Sequence, residues 1–541
     1  MSILAGPFLD RHATASPRRG RGRGRSRLRF RRAAGFLAAG LLVPVLALSG
    51  CGPSFLAGIT GGQSSTPTGE EVAENLRPYF SQVLVWERCG GGAQCATAVA
   101  PLDWQNPGDG SDVELALVRH PATEQSKGSL FVNPGGPGAS GFDFVRDTVD
   151  VAVSAEVRAQ YDVIGWDPRG VGRSSAITCY TDAAQIDEFV YGVPAAATGS
   201  PEWVDELTAS AIDFAEACAE NSGPLLEFVD TDSTVRDLDL LRAIVGDETL
   251  TYFGYSYGTD IGARYADMFP ERAGRLVLDG ATDPTTSQFE VVLAQSVGFE
   301  SALTTYITEC AAAGTCPFPT DTAAALRIVE QLYAQLDATP IPAADGRLFT
   351  ASTLDIAIAT ALYDEGSWPF LSDMFVELRD GVVDTGFMLA DFYYGREDGE
   401  YADNSLEAFI AINCLDYPVE RDPATIVAQN TAVAEAAPIT TDPSPLGDVI
   451  CQNWPFESDA ALEPVSADGA PPILVIGTTG DPATPYEWAV ALADQLSSGV
   501  LLTYDGEGHI AYDEGDPCVN DLVDAFLLDG SVPADATVCP G

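Results

Sequence analysis

The stretch Leu250-Thr251-Tyr252-Phe253-Gly254-Tyr255-Ser256-Tyr257-Gly258-Thr259-Asp260 opens as a short apolar run and leads into a helical one. Residues 250–253 have the aromatic and β-branched character of a buried strand, and residues 260–268 follow with helical spacing. Between them, small residues stand two before and two after Ser256. That spacing permits the strained strand-to-helix turn that projects a serine Oγ, so Ser256 is the candidate nucleophile. Tyr257 follows it directly, and its backbone N–H is a candidate donor to an oxyanion.

Outward from this turn, short apolar runs bounded by turn residues recur at 113–118, 129–132, 162–166, 275–278, 473–476 and 500–504. Several lack polar alternation, as strands covered on both faces do. A helical pattern fills 233–245, with Asp232 or Ser233 as its expected cap. Strands alternating with helices predict an α/β fold, a mostly parallel sheet flanked by helices. The alternation lapses over 289–459, where 322–336, 352–362 and 406–412 read as helices. This stretch is expected to form an inserted, mainly helical lid. The core is thereby split into a first part, 74–288, and a C-terminal part, 460–541.

A serine nucleophile needs a base, and only His120 and His509 lie beyond the first 50 residues. His509 sits in Gly506-Glu507-Gly508-His509, just after the last strong strand pattern, whereas His120 precedes the turn and is followed by Pro121. His509 is the expected base. Asp481, in Gly480-Asp481-Pro482 past the strand at 473–476, is the acid expected to orient it, with Thr484 as a cap for the helix that follows. A second oxyanion donor is expected from Asn133-Pro134-Gly135-Gly136-Pro137-Gly138-Ala139-Ser140-Gly141, with Gly136 the choice. The same loop contains a formal G-x-G-x-x-G from Gly136 to Gly141, with Asp162 and Asp167 downstream, and so competes as a dinucleotide site. Pro134 and Pro137 remove N–H groups from that turn and weigh against it. No cofactor and no metal are expected.

Residues 1–50 carry an Arg-rich segment from Arg18 to Arg32 and an apolar run from Ala33 to Leu48, which is the pattern of an export signal. Leu48-Ser49-Gly50-Cys51 resembles a bacterial lipobox and marks Cys51 for lipidation; Arg31-Arg32 leaves the export route open. Residues 51–73, rich in Gly, Ser, Thr and Pro, are expected to be a flexible tether. The chain is therefore expected outside the cytoplasm, on the membrane through its lipid alone, or secreted. Of 11 Cys, ten remain besides Cys51, an even set suited to an oxidising compartment. Pairing successive neighbours joins Cys89 with Cys95, Cys179 with Cys218, Cys310 with Cys316, Cys414 with Cys451 and Cys518 with Cys539. The net charge is −51; residues 1–50 hold ten Arg and one Asp, so the rest carries 18 basic and 78 acidic residues, a net of −60. Such a surface repels nucleic acid.

Five stretches together resemble the α/β-hydrolase peptidases that include prolyl aminopeptidases and actinobacterial tripeptidyl aminopeptidases. They are the loop 133–141, Trp166-Asp167-Pro168-Arg169-Gly170-Val171-Gly172-Arg173-Ser174, the turn 254–259, the loop 477–485 and the stretch 506–509. They bracket residues from about 75 to 541. Prolyl aminopeptidases typically carry His before the Gly-Gly-Pro-Gly, where this chain has Pro134, as the tripeptidyl branch does. The resemblance implies an α/β-hydrolase fold and release of short peptides, tripeptides foremost, from substrates with a free N-terminus. It also implies carboxylates that hold the substrate ammonium, for which Glu407 and Asp416 in the lid are the candidates. An esterase using the same triad, and a non-catalytic binding lipoprotein, are the rival readings. The sequence does not fix the oligomeric state.

Overall fold

The structure, a computed structural model, describes residues 63–108, 110–314, 316–440, 448–512 and 517–541. The export signal, Cys51 and the first part of the expected tether lie outside the described residues. The main sheet has 11 strands: β1 (Gln63–Ser64), β2 (Val85–Gly90), β3 (Ala93–Pro101), β4 (Asp112–His120), β5 (Ser129–Asn133), β6 (Asp162–Trp166), β7 (Leu250–Tyr255), β8 (Ala273–Asp279), β9 (Ile473–Gly480), β10 (Gly499–Glu507) and β11 (Thr537–Pro540). Their order is β1-β2-β3-β4-β6-β5-β7-β8-β9-β10-β11. Neighbours are antiparallel from β1 to β6 and parallel from β6 to β11.

Successive side chains of a strand point to opposite faces. Phe131, Tyr252, Leu276, Leu278, Ile473 and Val475 pack into one core layer, and Leu130, Val132, Phe253, Val277, Leu474 and Ile476 into another. Both faces are covered, which is why these strands read as unbroken apolar runs. The order also turns around β5: β6 is added on one side of it, β7 and all later parallel strands on the other. Because the strands are parallel, β5, β7, β8, β9 and β10 all end at the same edge. In such sheets the crevice beyond the carboxyl ends is where ligands bind.

Between β8 and β9 the chain is mainly helical, from Gln288–Ala313 to Val449–Gln452, with two short two-stranded ribbons. This region has its own apolar core, built around Leu303, Phe349, Leu362, Leu371 and Met374. A second helical piece, Ala183–Tyr191, joins it from between β6 and β7, an association with no sequence signal. The Tyr191 ring lies edge-on to Phe387 and Tyr394, and Asp187 binds Arg396 at 2.7 Å and the Tyr401 hydroxyl at 2.8 Å.

The cysteines pair as neighbours along the chain. Cys89 is bonded to Cys95, which ties β2 to β3, and Cys179 is bonded to Cys218. Within the helical insertion Cys310 is bonded to Cys316 and Cys414 to Cys451. Cys518 is bonded to Cys539, which fastens β11 to the helix Pro517–Asp529.

Two expectations are corrected here. The end of the expected tether is fixed to the body: Gln63 and Ser64 pair with β2, and Glu70 forms ion pairs with Arg242 and Arg272 at 2.9 and 3.1 Å. An edge strand offers unpaired N–H and C=O groups, and this polar segment satisfies them. The helix Thr231–Val245 is capped by Asp230, not Asp232 or Ser233; Asp230 accepts the Ser233 N–H at 2.8 Å.

Arg169 holds the loop after β6. Its guanidinium is wholly buried, binds both oxygens of Asp237 at 2.7 Å, and donates to the carbonyls of Pro101, Leu102 and Phe228. Removing one partner of such a pair strands a buried charge. Arg169→Ala should lower stability by about 3–5 kcal/mol in urea unfolding, and Arg169→Lys should recover only part of the loss, because Lys lacks the planar fork.

Candidate active site

Ser256 occupies the turn between β7 and the helix Tyr257–Met268, with φ 54° and ψ −125°. A non-glycine residue in this conformation is strained and persists only where its surroundings fix it. Here they do. The Ser256 N–H donates to the Asp279 carbonyl at 2.9 Å, and the Ser256 carbonyl accepts from the Thr259 N–H at 2.8 Å and its hydroxyl at 2.6 Å. The loop after β5 presses against this turn. A Cβ on Gly135 would stand 2.6 Å from the Tyr255 carbonyl oxygen and 2.9 Å from the Ser256 Cβ, and its φ is +97°. The Gly135 N–H is spent on Asn133 Oδ1 at 2.9 Å. Gly136, the chosen donor, lines the pocket beside Ser256. Tyr257 is the first residue of its helix, where a backbone N–H has no partner within the helix.

Asp481 lies just past β9 and His509 just past β10, and their side chains meet. His509 Nδ1 is 2.9 and 3.0 Å from the two Asp481 oxygens. The carboxylate is aimed by further donors: the N–H groups of Ala483 and Thr484 at 2.9 and 2.8 Å, and the Thr484 hydroxyl at 2.8 Å. Thr484, the expected cap of the helix Tyr486–Gln495, instead sits in this network, 3.2 Å from His509 Nδ1. With the Nδ1 proton directed at Asp481, Nε2 is left as an acceptor. Nε2 is buried and has no hydrogen-bond partner among the described residues, so its bond to Ser256 is not formed in this structure. Such contacts tighten when substrate is bound. The helical insertion holds the histidine from the other side: the Tyr363 carbonyl accepts the His509 N–H at 2.8 Å, and the two rings meet edge to face at 5.3 Å. Tyr363 carried no signal in the sequence.

Ser256 opens onto a cavity of about 50 Å³ whose wall includes Asp260, Arg264, Asp283 and Asp416. Asp260 and Arg264 pair at 2.9 and 3.0 Å. Asp416 accepts the Thr231 N–H at 2.9 Å and the Thr231 hydroxyl at 2.6 Å. Burial pushes its carboxyl up to about 7, against the pull of Arg264 and these hydrogen bonds. Glu407, the other expected ammonium ligand, is not among the residues lining the cavity. Its carboxylate faces the chain after β6 and accepts the N–H groups of Cys179 and Tyr180 at 2.8 and 2.9 Å, a structural post.

The competing signals are absorbed by the fold. Asp167 is buried and accepts from the Ser140 hydroxyl, the Phe142 N–H and the Arg173 N–H, while Asp162 accepts the Ala122 N–H. Neither acid is free for a ribose. His120 ends β4 and lies 3.4 Å from the Arg146 carbonyl, with no place in the triad network.

Comparison with known proteins identifies the family. A family model described as TAP-like protein matches residues 441–539, the part that carries Asp481 and His509. Serine protease Hip1 of Mycobacterium tuberculosis is 36% identical over 490 residues, covering 86% of this chain and 93% of that protein. Tripeptidyl aminopeptidase of Streptomyces coelicolor is 31% identical over 472 residues, covering 84% of this chain and 85% of that protein. The chain belongs to the α/β-hydrolase peptidase family. Carboxylesterase B of Mycobacterium tuberculosis is also similar, 36% identical over 455 residues, covering 83% of this chain and 86% of that protein. The chain is thus a hydrolase.

In a hydrolase of this family the contact between Gly135 and the serine turn is open to a simple test. Gly135→Ala puts a methyl group where the turn already lies, and a displacement of about 1 Å at a reacting atom costs roughly 100-fold in rate. The variant should keep its circular dichroism spectrum while Ser256 reacts at least about 100-fold more slowly with a fluorophosphonate. Labelling at the wild-type rate would contradict the contact.

Proposed function

We propose that this chain is an exported serine peptidase that releases short peptides, tripeptides foremost, from free N-termini through an acyl-enzyme. The observation that carries the reading is one cavity lined both by Ser256 and by the acids Asp416, Asp260 and Asp283. An ammonium group is held by ionised carboxylates in a partly desolvated site. Tyr257 spans the gap. Its main chain adjoins Ser256, and its hydroxyl lies 2.5 Å from Thr231 Oγ1, which is 2.6 Å from Asp416 Oδ2. One tyrosine length and two hydrogen bonds reach no further than about three extended residues, at roughly 3.3–3.6 Å each.

In the proposed reaction, Ser256 Oγ attacks the scissile carbonyl carbon and its proton passes to His509 Nε2. Asp481 fixes the imidazole tautomer and stabilises the imidazolium. The N–H groups of Tyr257 and Gly136 stabilise the oxyanion, each contributing roughly 3 kcal/mol. Collapse of the intermediate breaks the C–N bond, and His509 protonates the leaving amine. Water then attacks the acyl-enzyme by the same route, and the short peptide leaves. Supporting export are the Arg-rich and apolar leader, the lipobox-like Cys51 and five disulfides, which persist in oxidising compartments. No helix among the described residues is long and apolar enough to cross a membrane.

The substrate amine decides between peptidase and esterase. A tripeptide anilide with a free N-terminus should be cleaved, its N-acetyl form should be cleaved at least about 10-fold less well, and Asp416→Asn should erase most of that difference by raising KM for the free amine. The pH dependence has a definite sign. Below about 7 the Asp416 carboxyl is neutral, so KM for the free amine should fall as pH rises through about 7. It should rise again above roughly 8, where a peptide amine loses its proton. Equal cleavage of both anilides, or a simple ester cleaved in preference to either, would favour the esterase reading suggested by the similarity to carboxylesterase B.

A further inference from the structure

Asp279, the last residue of β8, touches both halves of the proposed machinery without belonging to the triad. Its main-chain carbonyl accepts the Ser256 N–H at 2.9 Å. Its carboxylate is wholly buried and accepts the Ala511 N–H at 3.1 Å and the Tyr512 N–H at 2.8 Å, two and three residues past His509. Gly280 follows with φ +66°, and a Cβ there would stand 3.2 Å from His509 Cε1 and 3.1 Å from Thr484 Oγ1. Residues 279 and 280 thus contact the serine turn, the histidine loop and the threonine that aims Asp481.

The charge of this residue is harder to explain than its hydrogen bonds. Two N–H groups can be satisfied by a neutral carbonyl, whereas an ionised carboxylate in the core is costly without a cation. No Lys or Arg pairs with Asp279 among the described residues. The ionisable groups that act on it are His509, from after β10, and Asp481, from after β9. The Tyr512 hydroxyl is engaged elsewhere, donating to Asp524 and accepting the Ser154 N–H. Burial pushes the Asp279 carboxyl up to about 6, opposed by the two N–H donors and by His509. Near neutral pH it is therefore ionised, and His509, whose Cε1 lies against Gly280, is the neighbour whose positive charge lowers the carboxyl again.

We propose that Asp279 is a positioning residue of this site: it fixes the serine turn and the histidine loop in one frame, and its carboxylate balances the charge that arrives on His509 when Ser256 reacts. This rests on the serine-hydrolase reading of Ser256, Asp481 and His509. Fluorophosphonate labelling of the whole chain isolates the step. The Ser256 Oγ–P bond forms, fluoride leaves, and the serine proton goes to His509 Nε2.

The experiment is the labelling rate against pH, with the adduct mapped by mass spectrometry, for wild type and Asp279→Asn. Across pH about 6 the wild-type rate should show a fall on the acid side that belongs to Asp279, because its carboxyl becomes protonated there. Asp279→Asn should label about 10–100-fold more slowly at its plateau and should lack the fall that belongs to Asp279. A slower plateau with the wild-type profile across pH about 6 retained marks a merely structural contact and overturns the proposal, as does a variant that labels at the wild-type rate. If the variant does not fold, the wild-type profile decides alone, and a rate that stays flat across pH about 6 overturns the proposal. An adduct at a residue other than Ser256 sinks the underlying serine-hydrolase reading instead.

Discussion

The hydrogen bond from His509 Nδ1 to Asp481 joins the loops after β9 and β10, and the rest of the site is built to keep it. A charge-assisted bond of this kind is short and directional, so it fixes both the tautomer and the plane of the ring. It is possible because the strands are parallel and end at one edge of the sheet. The turn of the strand order around β5 then opens the crevice into which Ser256 projects. Sheet topology and site chemistry are one constraint seen at two scales.

The helical insertion does more than roof this edge. The main-chain carbonyl of its residue Tyr363 accepts the His509 N–H, and Asp416 at the end of the helix Ser405–Asp416 lines the same cavity as Ser256. A rearrangement of the insertion therefore alters the histidine and the cavity wall together. The insertion is tied to the chain after β6 by polar links, including Asp187 with Arg396 and Glu407 with two main-chain N–H groups. The acid that looked like a substrate ligand is one of these links.

How far the sequence could be read follows from the range of the interactions. The serine turn was legible because its strand, glycines and helix are adjacent in the chain. The buried strands announced themselves as apolar runs. The disulfides could be read as neighbours because each closes a local loop, the longest joining Cys179 and Cys218 across a sequence separation of 39. His509 was found by scarcity, since the chain holds three histidines. Contacts between distant segments left no trace. Asp230 rather than Asp232 caps its helix because one carboxylate met the right N–H. Thr484 turned to Asp481, Tyr363 reached His509 from another region of the fold, and Glu70 found Arg242, which anchored a segment whose composition suggests a free tether. Asp279 had a signal that was open to use, an acid placed directly at the end of a buried strand, as Asp481 is just beyond β9.

The central claim is that three separate loops form one relay. A crystal structure of the chain with a phosphonate bonded to Ser256 Oγ tests it most directly. The account predicts His509 Nε2 within about 3.2 Å of that oxygen, with the bond from Nδ1 to Asp481 intact. A histidine ring still out of reach of the bonded oxygen, while the insertion stays packed on the core, would contradict it.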